Sequence, residues 1–435
     1  MGLIRDVRGV GPLLLAILLL GLGSGLQGAL IGVRATAEAF SVSTTGVIMS
    51  GFSAGLLLSS FLTPAIVGRV GHIRVFAAYA SIISTAILLV PLWVEPVWWF
   101  AMRFVAGLGT AGLYIVCESW LNSASSNRNR GQLLSIYMII MYGAMGGGPF
   151  LLNIADESGF SRFIVASALM SMALVPLSLA RGESPAIERP RPIGMIEIWY
   201  TSPLAVVAAL VNGLGQGAFF AMTAVYGLLQ GLSLAQTSLL LALPPLAVIV
   251  SQYPIGLLSD RYDRRTLLTV LAFAAATISG LIIVLGGVSA VLLTVLFAGF
   301  GAIALPIYSL AVAHANDHLD TDQMVGAAAK LVLLYGIGAI AGPFLVGLVM
   351  ERAGPPGFPL YMMAVYGGLG LFAVYRMSRR APPVQTEGAA MPALAPTTTP
   401  LGASVIAEEL APSPEDGDRQ HGEPNVNASG TQSDS

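Results

Sequence analysis

Long apolar runs constrain this chain more than anything else in it. Twelve such stretches carry few charges or none, and a helix needs about 20 such residues to cross the hydrocarbon core of a bilayer. They lie near residues 11–33, 43–67, 75–92, 97–120, 132–154 and 161–180, then near 202–228, 235–258, 267–286, 289–313, 324–350 and 358–377. Backbone in lipid must satisfy its own hydrogen bonds, which leaves helices and closed barrels as the spanning forms. Runs this long predict helices, so the expected fold class is an all-α membrane protein of 12 transmembrane helices. Composition agrees: charged residues are 10% of the chain, against roughly 25% in a soluble domain. The first run exceeds a signal-peptide core and has no small-x-small cleavage site after it, so it is expected to stay as a span. Cys117, the single cysteine, excludes an internal disulfide.

Basic residues set the expected orientation, because short cytoplasmic loops collect Lys and Arg. With the N-terminus inside, 17 basic residues fall in cytoplasmic segments, Arg69, Arg74, Arg128, Arg130, Arg261, Arg264 and Arg265 among them. Only Arg34, Arg162 and Arg352 fall outside, and Arg103 sits within a span. A miscounted helix would scramble this split. The chain is therefore expected in the inner (cytoplasmic) membrane with both termini in the cytoplasm. Trp93, Trp98 and Trp99 map to the outer boundary and Trp120 and Trp199 to the inner one, where an indole keeps its ring apolar and its N–H wet. The tail 378–435 is acidic and without periodicity, and is expected to be disordered and cytoplasmic.

The sequence also repeats itself at an offset of 192 residues. Gly21-Leu22-Gly23-Ser24-Gly25 matches Gly213-Leu214-Gly215-Gln216-Gly217, Arg69 falls on Arg261, and Ala106-Gly107-Leu108-Gly109 falls on Ala298-Gly299-Phe300-Gly301. Gly148-Pro149-Phe150-Leu151 returns as Gly342-Pro343-Phe344-Leu345 at an offset of 194. A near-constant offset points to duplication. The expected organisation is a six-helix bundle over 1–180, a cytoplasmic linker over 181–201, a second six-helix bundle over 202–377 and the tail. Parallel repeats of this kind place a shared cavity between the halves.

Gly256-Leu257-Leu258-Ser259-Asp260-Arg261-Tyr262-Asp263-Arg264-Arg265 joins the eighth and ninth runs, and a degraded copy over 64–74 keeps Arg69, Gly71 and Arg74 but has Gly68 in place of the aspartate. In these motifs the chain resembles the major facilitator superfamily over residues 10–377. Within it, Glu118-Ser119-Trp120-Leu121-Asn122 and Asn127-Arg128-Asn129-Arg130-Gly131 are similar to a bacterial branch of drug/proton-antiporter type with unassigned substrates. The exporter pattern Gly-x-x-x-Gly-Pro is intact at Gly338–Pro343 but has Ala144 in place of its first glycine in the fifth helix. The resemblance implies a fold of two six-helix bundles related by a pseudo-twofold axis, and alternating access.

Arg69, Arg74, Asp260, Arg261, Arg264 and Arg265 are candidates for a cytoplasmic gate whose pairs reach the opposite half in one state and part in the other. As a plain alternative, each arginine is a topology signal. Arg103 and Glu118 are the candidate charges of a pathway, since ionisable groups inside a span are costly unless they meet water or a partner. They stand about 22 Å apart along one helix, on a face with Gly107, Ala111 and Tyr114 that suits a cavity wall. Snorkelling of Arg103 and a structural bond of Glu118 are the alternatives. Gln27, Tyr114, Tyr142, Asn212, Gln216 and Tyr226 complete the pathway candidates, with packing as the competing reading for each tyrosine. Pro149 and Pro343 are expected to bend their helices.

Lys330 is the sole lysine and follows Ala329, so no phosphate-binding Gly-Lys-Ser/Thr loop exists and ATP is not expected as a partner. His72, His314, His318 and His421 show no zinc spacing and are expected in loops. Neither metal, cofactor nor nucleic acid is expected, and the chain is not expected to be an enzyme. The leading expectation is a monomeric secondary transporter of a small organic solute, proton-coupled and tilted toward efflux. A regulator on a transporter scaffold and a lipid enzyme are the alternatives.

Overall fold

A computed structural model of the chain describes residues 2–123, 130–154, 160–178, 194–319 and 323–379. The tail beyond 379, the linker over 181–193, Arg128 and His421 lie outside the described residues. Among the described residues, twelve helices are long and apolar enough to cross a membrane. They are α1 Val10–Ala37, α2 Val42–Val70, α3 His72–Leu92, α4 Pro96–Leu121, α5 Gly131–Asn153 and α6 Ser161–Ser178. The second half holds α7 Pro203–Leu229, α8 Leu234–Arg261, α9 Arg264–Leu285, α10 Ala290–Asn316, α11 Gly326–Ala353 and α12 Gly357–Arg379. Every expected span has its helix, with ends shifted by at most four residues, and the chain is a multi-pass membrane protein.

Local chemistry starts several of these helices. Ser41, Ser233 and Ser289 cap α2, α8 and α10 by accepting from backbone N–H groups three residues on, which satisfies donors that the first turn leaves orphaned. Outward faces are apolar: Val250, Val284 and Val291 are exposed to 77%, 75% and 75%. Lipid, not water, suits such a surface.

The duplication is legible contact for contact. A Cβ at Gly148 of α5 would meet the Leu22 carbonyl and Leu26 nitrogen of α1, and one at Gly342 of α11 would meet the Leu214 carbonyl and Ala218 nitrogen of α7. These residues correspond at the offsets read from the sequence. Glycine permits this because two helix backbones can touch only where no side chain intervenes.

The tryptophans at the helix ends differ in exposure, and the placement of two histidines needs correction. Trp99 is wholly buried, donates to the Trp93 carbonyl at 2.9 Å and packs edge-on against Phe40. Trp120 is also buried, while Trp93 and Trp199 remain exposed. The indole of Trp99 finds its acceptor in the turn before α4, so it has no need of the headgroup layer. His72 and His314 lie in helices and are buried, not in loops. His72 shares a hydrogen bond of 3.1 Å with Ser119, and His314 sits edge-on to His318 with ring centres 4.9 Å apart.

Candidate functional site

The two halves meet along a seam formed by α2 with α11, α5 with α8, and α1 with α7. Close backbone approaches mark it at the end that carries the turns after α1, α3, α5, α7, α9 and α11, called here the odd-loop end. There a Cβ on Gly347 would lie 3.0 Å from the Val42 carbonyl oxygen, and Gly46 abuts the Pro343 carbonyl. Gly32 comes within 3.2 Å of Ala224 on the same measure, and Gly146 within 2.8 Å of the Ala242 carbonyl. Polar bonds cross the seam as well: Ser43 N–H donates to Glu351 at 3.2 Å, and Asn153 Nδ2 donates to Ser238 at 3.1 Å. Small residues line both sides, so backbones touch and the end is shut. The deepest of these glycine approaches is near mid-depth, where Gly336 faces Leu57. Toward the opposite, even-loop end, α1 leaves Leu15 and Leu18 exposed to 48% and 37%.

At mid-depth the second half braces an interruption in α10. The helix stops at Ala304 and resumes at Ile307, with Pro306 between. Proline has no N–H to give to the carbonyl four residues back, and Ser251 supplies the missing donor to Ala302 at 2.7 Å. Gln216 donates to the Leu305 carbonyl at 3.0 Å, and Asn212 donates to that of Ala304 at 3.5 Å. Tyr335 of α11 donates to Gln216 at 2.9 Å. Tyr308 packs edge-on to Tyr335, and Tyr142 of α5 lies within electrostatic reach of it from the other half. Asn212 and Gln216 therefore converge on the break in α10, with Tyr335 bonded to Gln216 and Tyr308 packed against Tyr335.

Tyr226 is placed elsewhere. It stacks with Phe297 and Phe358 in the aromatic core of the second half, 1% exposed, and its hydroxyl accepts from Gln230. Gln27 is buried in α1 with its carbonyl oxygen unbonded.

The α4 face expected as a cavity wall is largely a helix contact. Gly107 lies against the backbone of Phe52, and Gly55 of α2 returns the contact to Phe104 and Leu108. Glu118 is wholly buried and accepts a hydrogen bond from Tyr137 of α5. Of this face only Tyr114 is half-buried; Arg103 and Ala111 are buried. Arg103 is 3% exposed, so it does not snorkel to a surface. Its guanidinium lies 4.4 Å from the centre of the Phe52 ring, and its Nε and Nη1 have no hydrogen-bond partner. A cation–π contact returns about 0.5–2 kcal/mol, whereas an uncompensated charge at the centre of a span costs about 2.5 kcal/mol or more.

At the even-loop end Arg69, Arg74, Asp260 and Arg261 are exposed. Arg264 pairs with Asp317 at the end of α10, donates to the Ala313 carbonyl at 3.1 Å and stands 3.7 Å from Asp260. Arg265 pairs with Asp263 at 2.8 Å. These pairs lie inside the second half, where the gate reading expected partners on the opposite half. Burial alone would raise the Asp263 carboxyl; hydrogen bonds from the Arg265 side chain and backbone outweigh it and hold the group below its ordinary value. Burial pushes the Asp317 carboxyl up, and Arg264 opposes that only in part. Sequence reasoning missed both acids. Asp263 was findable as the residue before a helix, where aspartate caps, and it does cap α9. Asp317 carries no such local signal. Of the two prolines, Pro149 stands where α5 tightens into a 3-10 turn over Gly148–Asn153, and Pro343 sits within an unbroken helix.

A groove of about 270 Å³, lined by Ser81, Ile82, Thr85, Ala86, Leu89, Met102 and Val105, lies between α3 and α4, away from these groups. Among the described residues no cluster of metal-ligating side chains occurs.

The family model described as Major Facilitator Superfamily matches residues 13–329 and 231–411. An uncharacterized MFS-type transporter, YcaD, of Escherichia fergusonii is 27% identical over 350 residues, which is 79% of this chain and 90% of that protein. An uncharacterized MFS-type transporter of Enterobacter sp. is 28% identical over the same shares. Among solved structures, the nucleoside transporter NupG aligns with a TM-score of 0.69 at 13% identity, over 85% of this chain and 98% of that one. A mutant form of NupG aligns at 0.71 and 11%, over 85% and 99%. At such identity these structures speak for the fold alone.

Proposed function

The chain belongs to the major facilitator superfamily, and from that premise we propose that it is a secondary transporter of a small organic solute working by alternating access. One observation supports this above others: the seam is shut by backbone contacts at the odd-loop end, while the ion pairs of Arg264 and Arg265 described at the even-loop end join residues of one half. Two six-helix bundles that touch backbone to backbone at one end of their seam suit a carrier that rocks about that contact. The arginines at the even-loop end make that face cytoplasmic by charge bias, with both termini inside and the protein in the inner membrane. On this reading the described state faces the cytoplasm.

Tyr114, Tyr142, Gln27, Asn212 and Gln216 form the polar lining, and Arg103 and Glu118 its charged groups. Glu118, enclosed and bonded to Tyr137, is the carboxyl through which proton coupling would run, in the direction of efflux. Arg69, Arg74, Asp260, Arg261, Arg264 and Arg265 serve the gate: in this state the second-half members hold one another, and closing the even-loop end would let exposed Arg69, Arg74 and Asp260 meet the other half. The bundles 1–180 and 202–377 rock as units, and a monomer suffices. Solute flux across proteoliposomes under an imposed pH gradient tests the proposal. Flux that follows the gradient and falls in Glu118→Gln is the expected result; gradient-independent behaviour identical to empty vesicles for every solute class would end it.

A further inference from the structure

Charge is distributed unevenly over the even-loop end. In the second half the described acids are engaged: Asp263 holds Arg265, Asp317 holds Arg264, Glu197 accepts from Gln323, and Asp260 stands 3.7 Å from Arg264. The first half brings cations to the same end without acids. No Asp or Glu occurs between Glu38 and Glu95, which both lie in odd-loop turns. Helices α2 and α3 and the turn joining them therefore carry Arg69 and Arg74 with no acid of their own at that end. Both arginines are exposed, as is Arg261 at the end of α8, and none of the three makes an ion pair or a side-chain hydrogen bond among the described residues.

The complement to these arginines is in the chain itself. Residues 380–435 hold eight of the 23 acids and two of the 21 cations, a net charge of −6, and the total of −2 leaves +4 on the rest. Six of those acids fall within 408–423: Glu408, Glu409, Glu415, Asp416, Asp418 and Glu423. The tail leaves α12 at the even-loop end, because an even-numbered helix finishes there, so acids and arginines share one face whichever way the chain is inserted. Glu408 comes 29 residues after Arg379, a length that spans about 30 Å at coil dimensions. Helix α12 packs on α11, and α11 on α2, which separates the start of the tail from α2 by two helix spacings of about 10 Å each. We propose that the acidic segment 408–423 docks on Arg69, Arg74 and Arg261, and so straps the end of the second half to the α2–α3 turn of the first. This goes beyond the transporter reading and does not depend on it. Anionic headgroups compete for the same arginines, but the tethered segment meets them at an effective concentration on the order of millimolar and presents several carboxylates at once.

Distances within the full chain decide the matter. Gly68→Cys and Ser413→Cys are combined with Cys117→Ala, and both introduced thiols are spin-labelled in discs of phosphatidylcholine. Gly68 is exposed beside Arg69 with nothing near its Cβ position, and Ser413 lies within the acidic segment. Dilution with unlabelled Cys117→Ala chain confines the measurement to single molecules. A short-distance population should be present at about 0.1 M salt and fall several-fold at about 1 M, as the Debye length drops from about 10 Å to about 3 Å. It should fall equally when Arg69→Gln and Arg74→Gln are combined. Neutralising the segment instead, with Glu408→Gln, Glu409→Gln, Glu415→Gln and Asp416→Asn, leaves the membrane helices untouched and should release it as well, which keeps the test decisive if the arginine variant fails to insert. A long, broad distribution in the parent that salt does not alter would overturn the proposal, as would a short population that survives neutralisation of the segment. Release on adding phosphatidylglycerol at constant ionic strength would also overturn it, by assigning the arginines to headgroups.

Discussion

A single methyl group at Gly46 should weaken the closed seam and leave the rest of the fold in place. A Cβ there would lie 3.1 Å from the Pro343 carbonyl carbon and 3.4 Å from the Phe344 Cα, with the Pro343 oxygen nearer still. Carbon atoms rest at about 3.5–4.0 Å, and backbone cannot turn aside as a side chain can. Helices α2 and α11 must therefore part by roughly 0.5–1 Å at this level. Overpacking a contact of this kind costs about 1–3 kcal/mol. The strain falls on the closed seam alone, because Gly46 and Pro343 separate when the bundles rock, so the closed population should drop about 5- to 150-fold relative to the other state. Gly336→Ala is the matched control: its Cβ would lie 2.6 Å from Leu57 Cδ1, the far end of a side chain that can rotate away. The reporter is Ser238→Cys in a Cys117→Ala background, since Ser238 is wholly buried in the seam against Asn153. An impermeant maleimide added to reconstituted protein should label it several-fold faster with Gly46→Ala than without, and nearly at the parent rate with Gly336→Ala. Equal labelling in all three, with the elution profile unchanged, would refute the claim that this contact holds the end shut.

Further outcomes follow from the polar contacts. Tyr137→Phe removes the donor to buried Glu118 and should lower stability by about 1–3 kcal/mol, read as a fall in the unfolding midpoint in detergent; an unchanged midpoint would show that Glu118 is satisfied without it. Arg264→Ala frees Asp317 and the Ala313 carbonyl and should destabilise clearly, whereas Asp260→Asn removes a pair at 3.7 Å whose acid is 60% exposed and should stay within about 0.5 kcal/mol; the reverse ranking would sink this account of the motif. Asp263 is held below its ordinary value, so its contribution is present above the ordinary carboxylate range and lost as pH falls through the depressed one. Asp263→Asn should therefore lower the midpoint at neutral pH and cease to matter in strong acid, and a constant deficit across that range would contradict the sign.

Apolar run length determined the number, order and near-limits of the twelve helices, because a span is a local quantity set by about twenty residues and the thickness of lipid. The repeat at 192 residues foretold which glycines match, and the packing of α5 on α1 and of α11 on α7 bears that out. What the sequence could not carry was which face of a helix meets which neighbour. Arg103 and Gly107 read as one wall by their spacing, yet Gly107 lies on the Phe52 backbone and Arg103 on the Phe52 ring. Tyr226 had the composition of a pathway group and belongs to an aromatic stack. Arg264 found Asp317, 53 residues away and invisible to any motif. Such partnerships are fixed by how helices distant in sequence close-pack around one another, and only the tertiary structure decides them.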